Sequence, residues 1–201
     1  MKAFINIPIL LLLIPAVSIK AFDIPISEPI DSWIVLQDDV TWIGWADHSD
    51  FPVCQTRADL PYPMKNISNI IENIENYPNV FKRITTAKIL DDDIAYLMLD
   101  MPFPFSGRDY IIQFIKDKSE TDWVFSFKAV THVDAPPNKR SVRLINAAGA
   151  WLIRPISNNE TAVTYTWNGE LLGDFPSWAL PKAWKTQGNE IIEWLGEALN
   201  E

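Results

Sequence analysis

The architecture of this chain depends most on the segment Pro181-Lys-Ala-Trp-Lys-Thr-Gln-Gly-Asn-Glu-Ile-Ile-Glu-Trp-Leu-Gly-Glu-Ala-Leu199. Apolar side chains recur at helical spacing along one face of this segment: Trp184, Ile191, Leu195 and Leu199. Lysine and glutamate occupy the other positions, so the pattern predicts a long C-terminal helix with one apolar stripe. Such a stripe is stable only where another element covers it, so the rest of the chain must supply a partner surface.

The preceding chain contains the strands that form this surface. Ten runs rich in Val, Ile, Thr and aromatic residues are each bounded by turn residues. They are Trp33–Gln37, Val40–Trp45, Phe51–Ala58, Val80–Leu90, Ile94–Met101, Tyr110–Lys116, Trp123–Val130, Ser141–Asn146, Trp151–Ile156 and Ala162–Trp167. After the third run, isoleucines at three- and four-residue spacing predict an amphipathic helix over about residues 63–76, ending before Pro78.

This order of elements predicts the α+β class. We expect a curved antiparallel sheet wrapped around the long C-terminal helix, with the short helix inserted after the first strands. A helix of this length spans about 28 Å, comparable to the width of several strands spaced about 4.8 Å apart. A bent sheet that grips one helix leaves space between them, which side chains fill or a ligand occupies. No internal repeat or linker divides the chain, so we expect one domain.

Composition excludes several functions. The 17 Lys and Arg residues stand against 26 Asp and Glu, and the formal net charge of −9 argues against binding nucleic acid. One cysteine and two histidines leave little material for a zinc site or a Ser-His-Asp triad. The sequence therefore predicts no catalytic residue, no metal and no cofactor. It favours a binding domain over an enzyme.

The first 21 residues have the form of a secretory signal peptide. Lys2 precedes an uncharged apolar run from Ala3 to Ile19, with small residues near its end at Ala16 and Ser18 and just after it at Ala21. We expect cleavage within this segment and a secreted or periplasmic mature protein. Removing residues 1–21 takes away two lysines and changes the formal net charge from −9 to −11. Such a chain is repelled by anionic lipid surfaces, so we expect any membrane contact to be transient and not electrostatic.

Three blocks of the sequence resemble a known family. They are Met101-Pro-Phe-Pro-Phe-Ser-Gly-Arg-Asp-Tyr110, the pair Gly149-Ala-Trp-Leu-Ile-Arg-Pro155 with Thr161-Ala-Val-Thr-Tyr165, and Gly173-Asp-Phe-Pro-Ser-Trp178. Their order and spacing are similar to those of START (StAR-related lipid-transfer) domains, which belong to the helix-grip or Bet v 1-like superfamily. The likeness extends over roughly residues 30–200, and the predicted order of helices and strands agrees with it.

The resemblance implies a START-like lipid-binding domain over residues 22–201. It implies one hydrophobic ligand, a lipid, held in an internal cavity and moved between membranes, without covalent catalysis or a metal. We expect the domain to be a monomer. Two alternatives remain open. Helix-grip folds also host cyclases and hydrolases that act on hydrophobic substrates, and a domain whose interior is filled by side chains would bind no ligand at all.

Strand alternation selects candidate ligand contacts. In the run from Arg108 to Phe114, every second residue shares a face, and we expect the bulkier face to line the cavity. The same reasoning applies to the strand after Gly149 and to the apolar stripe of the last helix. An asparagine before the Ala147-Ala-Gly149 turn is a candidate polar anchor. The predicted ligand-binding residues are Tyr110, Ile112, Phe114, Asn146, Trp151, Ile153, Trp184, Ile191 and Leu195.

Arg108 and Asp109 form a candidate structural polar pair. Adjacent strand residues point to opposite faces, so each side chain needs a partner elsewhere in the fold. The competing interpretation is a buried pair that binds a ligand headgroup. Sterol-type members of the family carry a second arginine six residues after the first, where this chain has Phe114. This difference predicts a pocket that is more uniformly apolar.

Overall fold

The structure of the protein, a computed structural model, describes residues 32–49 and 51–200. The predicted signal peptide, residues 1–21, lies outside the described residues, as do residues 22–31. Within the described part, one ten-stranded sheet carries three α-helices. Short 3-10 turns at Ile74–Asn76 and Ser177–Ala179 lead into the second and third of these helices.

The ten strands follow the ten predicted runs in order. Their bounds are β1 Ile34–Gln37, β2 Trp42–His48, β3 Phe51–Leu60, β4 Ile84–Asp91, β5 Ile94–Leu99, β6 Gly107–Lys118, β7 Trp123–Ala129, β8 Ser141–Arg143, β9 Ala148–Ser157 and β10 Glu160–Asn168. The predicted sixth strand is longer than expected, because β6 begins at Gly107. Arg108 and Asp109 therefore lie inside a strand, where their side chains alternate between the two faces.

The sheet order is β1-β2-β3-β10-β9-β7-β6-β5-β4, and neighbours on this path are antiparallel. The first three strands join the rest of the sheet where β3 pairs with β10. The short strand β8 departs from the path and runs parallel to β6, from the pair Gly107–Ser141 to the pair Asp109–Arg143. Because the sheet is curved, its concave face can enclose α3.

The helices are α1 Met64–Glu72, α2 Tyr77–Val80 and α3 Leu180–Leu199. The predicted single helix over residues 63–76, ending before Pro78, is wrong in its last part. Pro78 lies in the first turn of α2, where its missing N–H removes no intrahelical hydrogen bond. The strand predicted from Val80 therefore begins only at Ile84.

Helix α3 packs across β2 and β3 along its apolar stripe. The buried residues of this stripe are Trp184, Gly188, Ile191, Ile192, Trp194 and Leu195. Gly188 lies against Ile43 of β2 and accepts a hydrogen bond from Thr56 of β3 through its carbonyl oxygen, at 3.3 Å. The predicted fold class, a curved antiparallel sheet around a long C-terminal helix with a short helix after the first strands, is confirmed.

Candidate functional site

A cavity of about 400 Å³ lies between the sheet and α3. Strands β4, β5, β6, β7, β9 and β10 line it on one side, and α2 and α3 line it on the other. Residues in the segments 101–105, 144–147 and 169–175, which precede β6, β9 and α3, also contribute to its wall. The volume lies within the range of about 300–1,000 Å³ that is typical of small-molecule sites.

Eleven aromatic side chains line the cavity. They are Tyr77, Phe81, Phe105, Tyr110, Phe114, Phe127, Trp151, Tyr165, Trp167, Phe175 and Trp194. Their rings pack against one another, with centroids 4.3 Å apart for Trp151 and Tyr165 and 5.3 Å apart for Tyr165 and Trp167. Rings held in this way present rigid apolar area to a guest molecule.

Arg108 lies at one end of the cavity, and its guanidinium is bound to the protein. Its Nε donates to the carbonyl oxygen of Leu171 at 2.8 Å, and its Nη2 donates to Leu172 O at 2.9 Å and to Asp174 Oδ1 at 3.1 Å. A further hydrogen bond joins its Nη1 to Ser106 O. Leu172 and Gly173 have left-handed φ values of 49° and 62°. Arg108 thus holds two carbonyl groups beside a turn whose backbone conformation favours glycine.

Asp109 points away from Arg108 and binds a different element. Its Oδ1 accepts from the Ser141 hydroxyl at 2.8 Å, and its Oδ2 accepts from Arg143 Nε at 2.8 Å. Arg143 Nη2 also lies 2.6 Å from Asp109 Oδ2. This completely buried carboxylate therefore joins β6 to β8.

Other polar residues of the cavity wall are also paired. Asn146 Nδ2 donates to Glu170 Oε2 at 2.9 Å, and the carbonyl oxygen of Asn146 accepts from Asn168 at 2.8 Å. Arg83, which directly precedes β4, donates through Nε and Nη2 to both carboxylate oxygens of Glu190 on α3, each at 2.6 Å. The second pair ties the helix to the edge strand of the sheet.

Three tyrosines contribute phenol groups to the apolar wall. Burial raises the pKa of Tyr77, Tyr110 and Tyr165, and the neighbouring phenol groups raise the pKa of Tyr77 and Tyr165 further. All three phenols therefore stay protonated at neutral pH. The Tyr77 hydroxyl donates to Ile71 O at 2.6 Å.

Across residues 32–49 and 51–200, no cluster of three or more His, Cys, Asp or Glu side chains could hold a metal ion. No helix in these ranges has both the length and the apolar character needed to cross a membrane. Asp91 and the next two aspartates form the hairpin turn between β4 and β5.

A family model described as the START domain matches residues 75–192, which is more than half of the chain. The chain belongs to the START family. The matched range begins after α1 and includes every strand from β4 to β10 and most of α3. It therefore contains most of the cavity wall.

Several known proteins are similar to this START domain. An uncharacterized protein of Pseudomonas aeruginosa is 23% identical over 155 residues, which cover 74% of this chain and 77% of the relative. The STAR-related lipid transfer protein of Xanthomonas axonopodis superposes with a TM-score of 0.75 at 19% identity, covering 85% of this chain and 100% of the other. Human StAR-related lipid transfer protein 5 gives 0.78 at 13% identity, covering 86% and 88%. At these identities the solved structures show the shared fold.

Six of the nine predicted ligand-binding residues line the cavity of the START domain. They are Tyr110, Ile112, Phe114, Asn146, Trp151 and Ile191. The three from β6 occupy alternate positions on the strand, and Trp151 lies on the strand two places along in the sheet. Phe114 contributes its ring to the wall.

The other three predicted residues, Ile153, Trp184 and Leu195, lie in the packed core. Ile153 shares a face with Trp151 but is completely buried, and it lies on β9, a strand that α1 contacts. Trp184 donates its indole N–H to Gly169 O at 2.8 Å and packs against Trp45, with ring centroids 4.8 Å apart. Leu195 is completely buried. Side-chain periodicity predicts which face of a strand or helix a residue lies on, but it does not predict how far along that element the cavity extends.

Several residues of the cavity wall were missing from the sequence prediction. They include Tyr77, Phe81, Tyr165, Trp167 and Trp194. Tyr165 and Trp167 alternate along β10 just as Tyr110 and Ile112 alternate along β6, so the same rule would have found them. Tyr77 gave no such signal, because the predicted helix ended before it, and Phe81 was assigned to a predicted strand that begins only at Ile84.

Proposed function

We propose that this START domain binds one hydrophobic molecule of the lipid class in its cavity and carries it through water. The observation that carries this proposal is the cavity of about 400 Å³ with aromatic walls. Apolar surface removed from water contributes about 25 cal/mol per Å², so about 400 Å² of ligand surface contributes roughly 10 kcal/mol before ordering costs. Two of the structural relatives are described as lipid transfer proteins, which supports the same function.

The pairing of the carboxylates in the wall favours a carrier over an enzyme. Glu190 binds both nitrogens of the Arg83 fork, and Glu170 accepts from Asn146. A general base needs a carboxylate or imidazole that can reach the substrate proton. Since both carboxylates are engaged with neighbouring side chains, we propose that the domain binds its ligand without converting it.

Two exposed aromatic side chains favour brief contact with a membrane beside the cavity. Phe103 is 97% exposed in the segment before β6, and Trp178 is 84% exposed in the segment before α3. Both segments contribute residues to the cavity wall. Because the mature chain carries a net charge of −11, we propose that these rings, rather than charge attraction, make the contact.

We also propose that the mature protein is an exported monomer. Support for export comes from the uncharged run between Ala3 and Ile19 and the small residues after it. N-terminal sequencing of the protein purified from its host should give a chain that begins at Ile19 or Phe22. A mature chain that still begins at Met1 would contradict export. Size-exclusion chromatography with light scattering should give the mass of one chain.

Ligand binding can be tested on the mature protein purified from its host. Solvent extraction followed by mass spectrometry should find one class of hydrophobic molecule in near-stoichiometric amount. After delipidation, the protein should bind the neutral fluorophore N-phenylnaphthylamine and take up pyrene-labelled phosphatidylcholine from phosphatidylcholine vesicles. Trp151→Glu places a charge in the cavity wall and should abolish uptake of both probes, because an unpaired charge is unfavourable in an apolar site.

Val40→Glu is the matched control, since Val40 is exposed in the turn between β1 and β2 and does not line the cavity. It should leave uptake unchanged. If Trp151→Glu does not fold, Ile191→Trp narrows the same cavity without a charge. A folded wild-type protein that is empty on purification and binds neither probe would contradict the carrier proposal.

A further inference from the structure

Trp167 carries a hydrogen-bond donor that the protein does not use. It lies on β10, lines the cavity and is 4% exposed. Among the described residues, its Nε1 is the buried side-chain nitrogen or oxygen without a hydrogen-bond partner. An unpaired buried N–H is unfavourable, because it loses its hydrogen bond to water without gaining another, so such groups are rare in folded proteins. Because this N–H lies in the cavity wall, a ligand in the cavity that carries a hydrogen-bond acceptor would supply the missing partner.

Two phenol groups share the cavity with this indole. Tyr165 precedes Trp167 by two residues on the same strand face, and their rings stack at 5.3 Å. Tyr110 faces the cavity from β6. Within the described part of the chain, neither the Tyr110 nor the Tyr165 hydroxyl forms a hydrogen bond, whereas the Tyr77 hydroxyl is bound to Ile71. The wall therefore offers one N–H and two hydroxyl groups to a ligand.

The cations of the wall are already engaged. Arg108 donates to three carbonyl groups and Asp174, and Arg83 donates to Glu190. Lys182 also borders the cavity, but it is exposed to water on α3. An anionic group placed near Trp167 would thus lack a buried countercharge, which makes its transfer from water unfavourable. An uncharged acceptor avoids this problem.

We propose that the ligand carries an uncharged oxygen group, such as a hydroxyl, carbonyl or ester, which accepts a hydrogen bond from Trp167 Nε1 and contacts the hydroxyls of Tyr110 and Tyr165. This inference rests on the proposed function, and it names the class of ligand: an apolar molecule with a neutral oxygen inside the cavity. The raised pKa of both phenols agrees with it, because a protonated hydroxyl can donate as well as accept.

The test compares four probes with the same hydrocarbon chain: dodecane, dodecanol, methyl dodecanoate and dodecanoate. Each is titrated against delipidated mature protein that holds N-phenylnaphthylamine, and displacement of this fluorophore gives its Kd. The quantity compared between variants is the Kd of the ester or alcohol divided by the Kd of the alkane. Differences in hydration among the probes cancel when this ratio in a variant is divided by the wild-type ratio.

Trp167→Phe keeps an aromatic ring but removes the N–H. It should raise the ratio for the ester between about two- and tenfold, as expected for one hydrogen bond. Tyr165→Phe and Tyr110→Phe should each raise the ratio for the alcohol by a similar factor. Tyr62→Phe is the matched control, because the hydroxyl it removes donates to Asn200 and Tyr62 does not line the cavity. It should leave both ratios unchanged.

Three results would overturn the inference. Trp167→Phe could change the affinities for ester and alkane equally, dodecanoate could bind wild type more tightly than the ester, or Tyr62→Phe could change the ratios as much as the other variants do. In each case the probes still bind, so the proposed carrier function stands. If none of the probes displaces the fluorophore, or the fluorophore itself does not bind, the carrier function fails. Should Trp167→Phe not fold, the two cavity tyrosine variants decide the question.

Discussion

Arg108 and Asp109 are charged, adjacent and completely buried in β6. Because side chains alternate along a strand, one faces the segment before α3 and the other faces β8. Each charge finds its partners in a different element: carbonyl groups and Asp174 for Arg108, and Ser141 and Arg143 for Asp109. The two residues thus act as independent connections, which agrees with a structural role and leaves neither charge free for a ligand headgroup.

The connection made by Asp109 should contribute strongly to stability. Asp109→Ala removes the acceptor of Arg143 and Ser141 and leaves a largely buried guanidinium without its carboxylate. We expect the free energy of unfolding to fall by about 3 kcal/mol or more, as for other buried pairs that lose one member. Urea denaturation followed by circular dichroism measures this change.

Asp122→Ala is the matched control for this prediction. Asp122 also binds an arginine through both carboxylate oxygens, at 2.9 and 3.0 Å from Arg154, but this pair is exposed on the surface. Exposed pairs contribute little, so stability should hardly change. Equal effects of the two substitutions would show that burial does not set the importance of the Asp109 pair.

At the scale of elements, the two glycines of α3 allow a direct comparison. A Cβ atom at Gly196 would meet nothing within 4 Å, whereas one at Gly188 would lie 3.0 Å from Cδ1 of the buried Ile43. Gly196→Ala should therefore stabilise the protein by about 0.5–1 kcal/mol through helix propensity alone.

Gly188→Ala should not show this gain. The added methyl must displace Ile43 and lengthen the hydrogen bond from Thr56 to the carbonyl of Gly188, so we expect a net loss of stability. Urea denaturation of the two variants gives the comparison. A similar gain for both would mean that α3 can move away from β2 without loss.

The elements themselves were largely predictable from local pattern. Ten strands and the long helix follow from residue periodicity and turn residues, because these signals depend on neighbours in sequence. The order of strands in the sheet was not predicted, since the pairing of β3 with β10 joins residues about a hundred positions apart. The turn around Pro78 was also missed, because proline both ends helices and begins them.

The cavity wall was predictable only in part, for a similar reason. Alternation placed Tyr110, Ile112 and Phe114 on one face, and they line the cavity together. It could not separate Trp151, which lines the cavity, from Ile153, which lies in the packed core. That distinction depends on where a helix crosses the sheet, which no single segment encodes. The hydrogen-bond partners of buried polar groups, such as the carbonyl groups and Asp174 that Arg108 binds, also depend on tertiary contacts and could not be predicted from local sequence.

At the scale of the whole molecule, the buried tyrosines couple stability to alkaline pH. In the unfolded chain each phenol loses its proton near its ordinary pKa of about 10, while burial raises the pKa of Tyr77, Tyr110 and Tyr165 in the folded protein. Above that pH the folded state binds more protons than the unfolded state, so stability falls as pH rises. Each tyrosine contributes a slope of about 1.4 kcal/mol per pH unit.

Urea denaturation between about pH 8 and about pH 12 should show this fall, beginning near the ordinary pKa of the phenol. Tyr110→Phe isolates one contribution, because burial alone raises the pKa of Tyr110. The slope for this variant should be smaller than that of wild type by about 1.4 kcal/mol per pH unit. Identical slopes would show that the Tyr110 phenol is accessible to water in the folded protein.

The cavity also predicts that stability and ligand binding respond in opposite directions to one substitution. Ala183 of α3 lines the cavity, and Ala183→Leu adds apolar carbons to that space without removing a polar contact. With about 0.8 kcal/mol for each buried methylene, the delipidated protein should gain about 1–2 kcal/mol in free energy of unfolding. The same carbons occupy volume that a ligand needs, so the affinity for N-phenylnaphthylamine should fall.

Lys185→Leu adds a similar side chain to an exposed position of the same helix and should leave probe binding unchanged. A side-chain-filled core would respond differently, because overpacking lowers stability there. Loss of stability in Ala183→Leu with unchanged probe binding would therefore mean that this space is closed in solution.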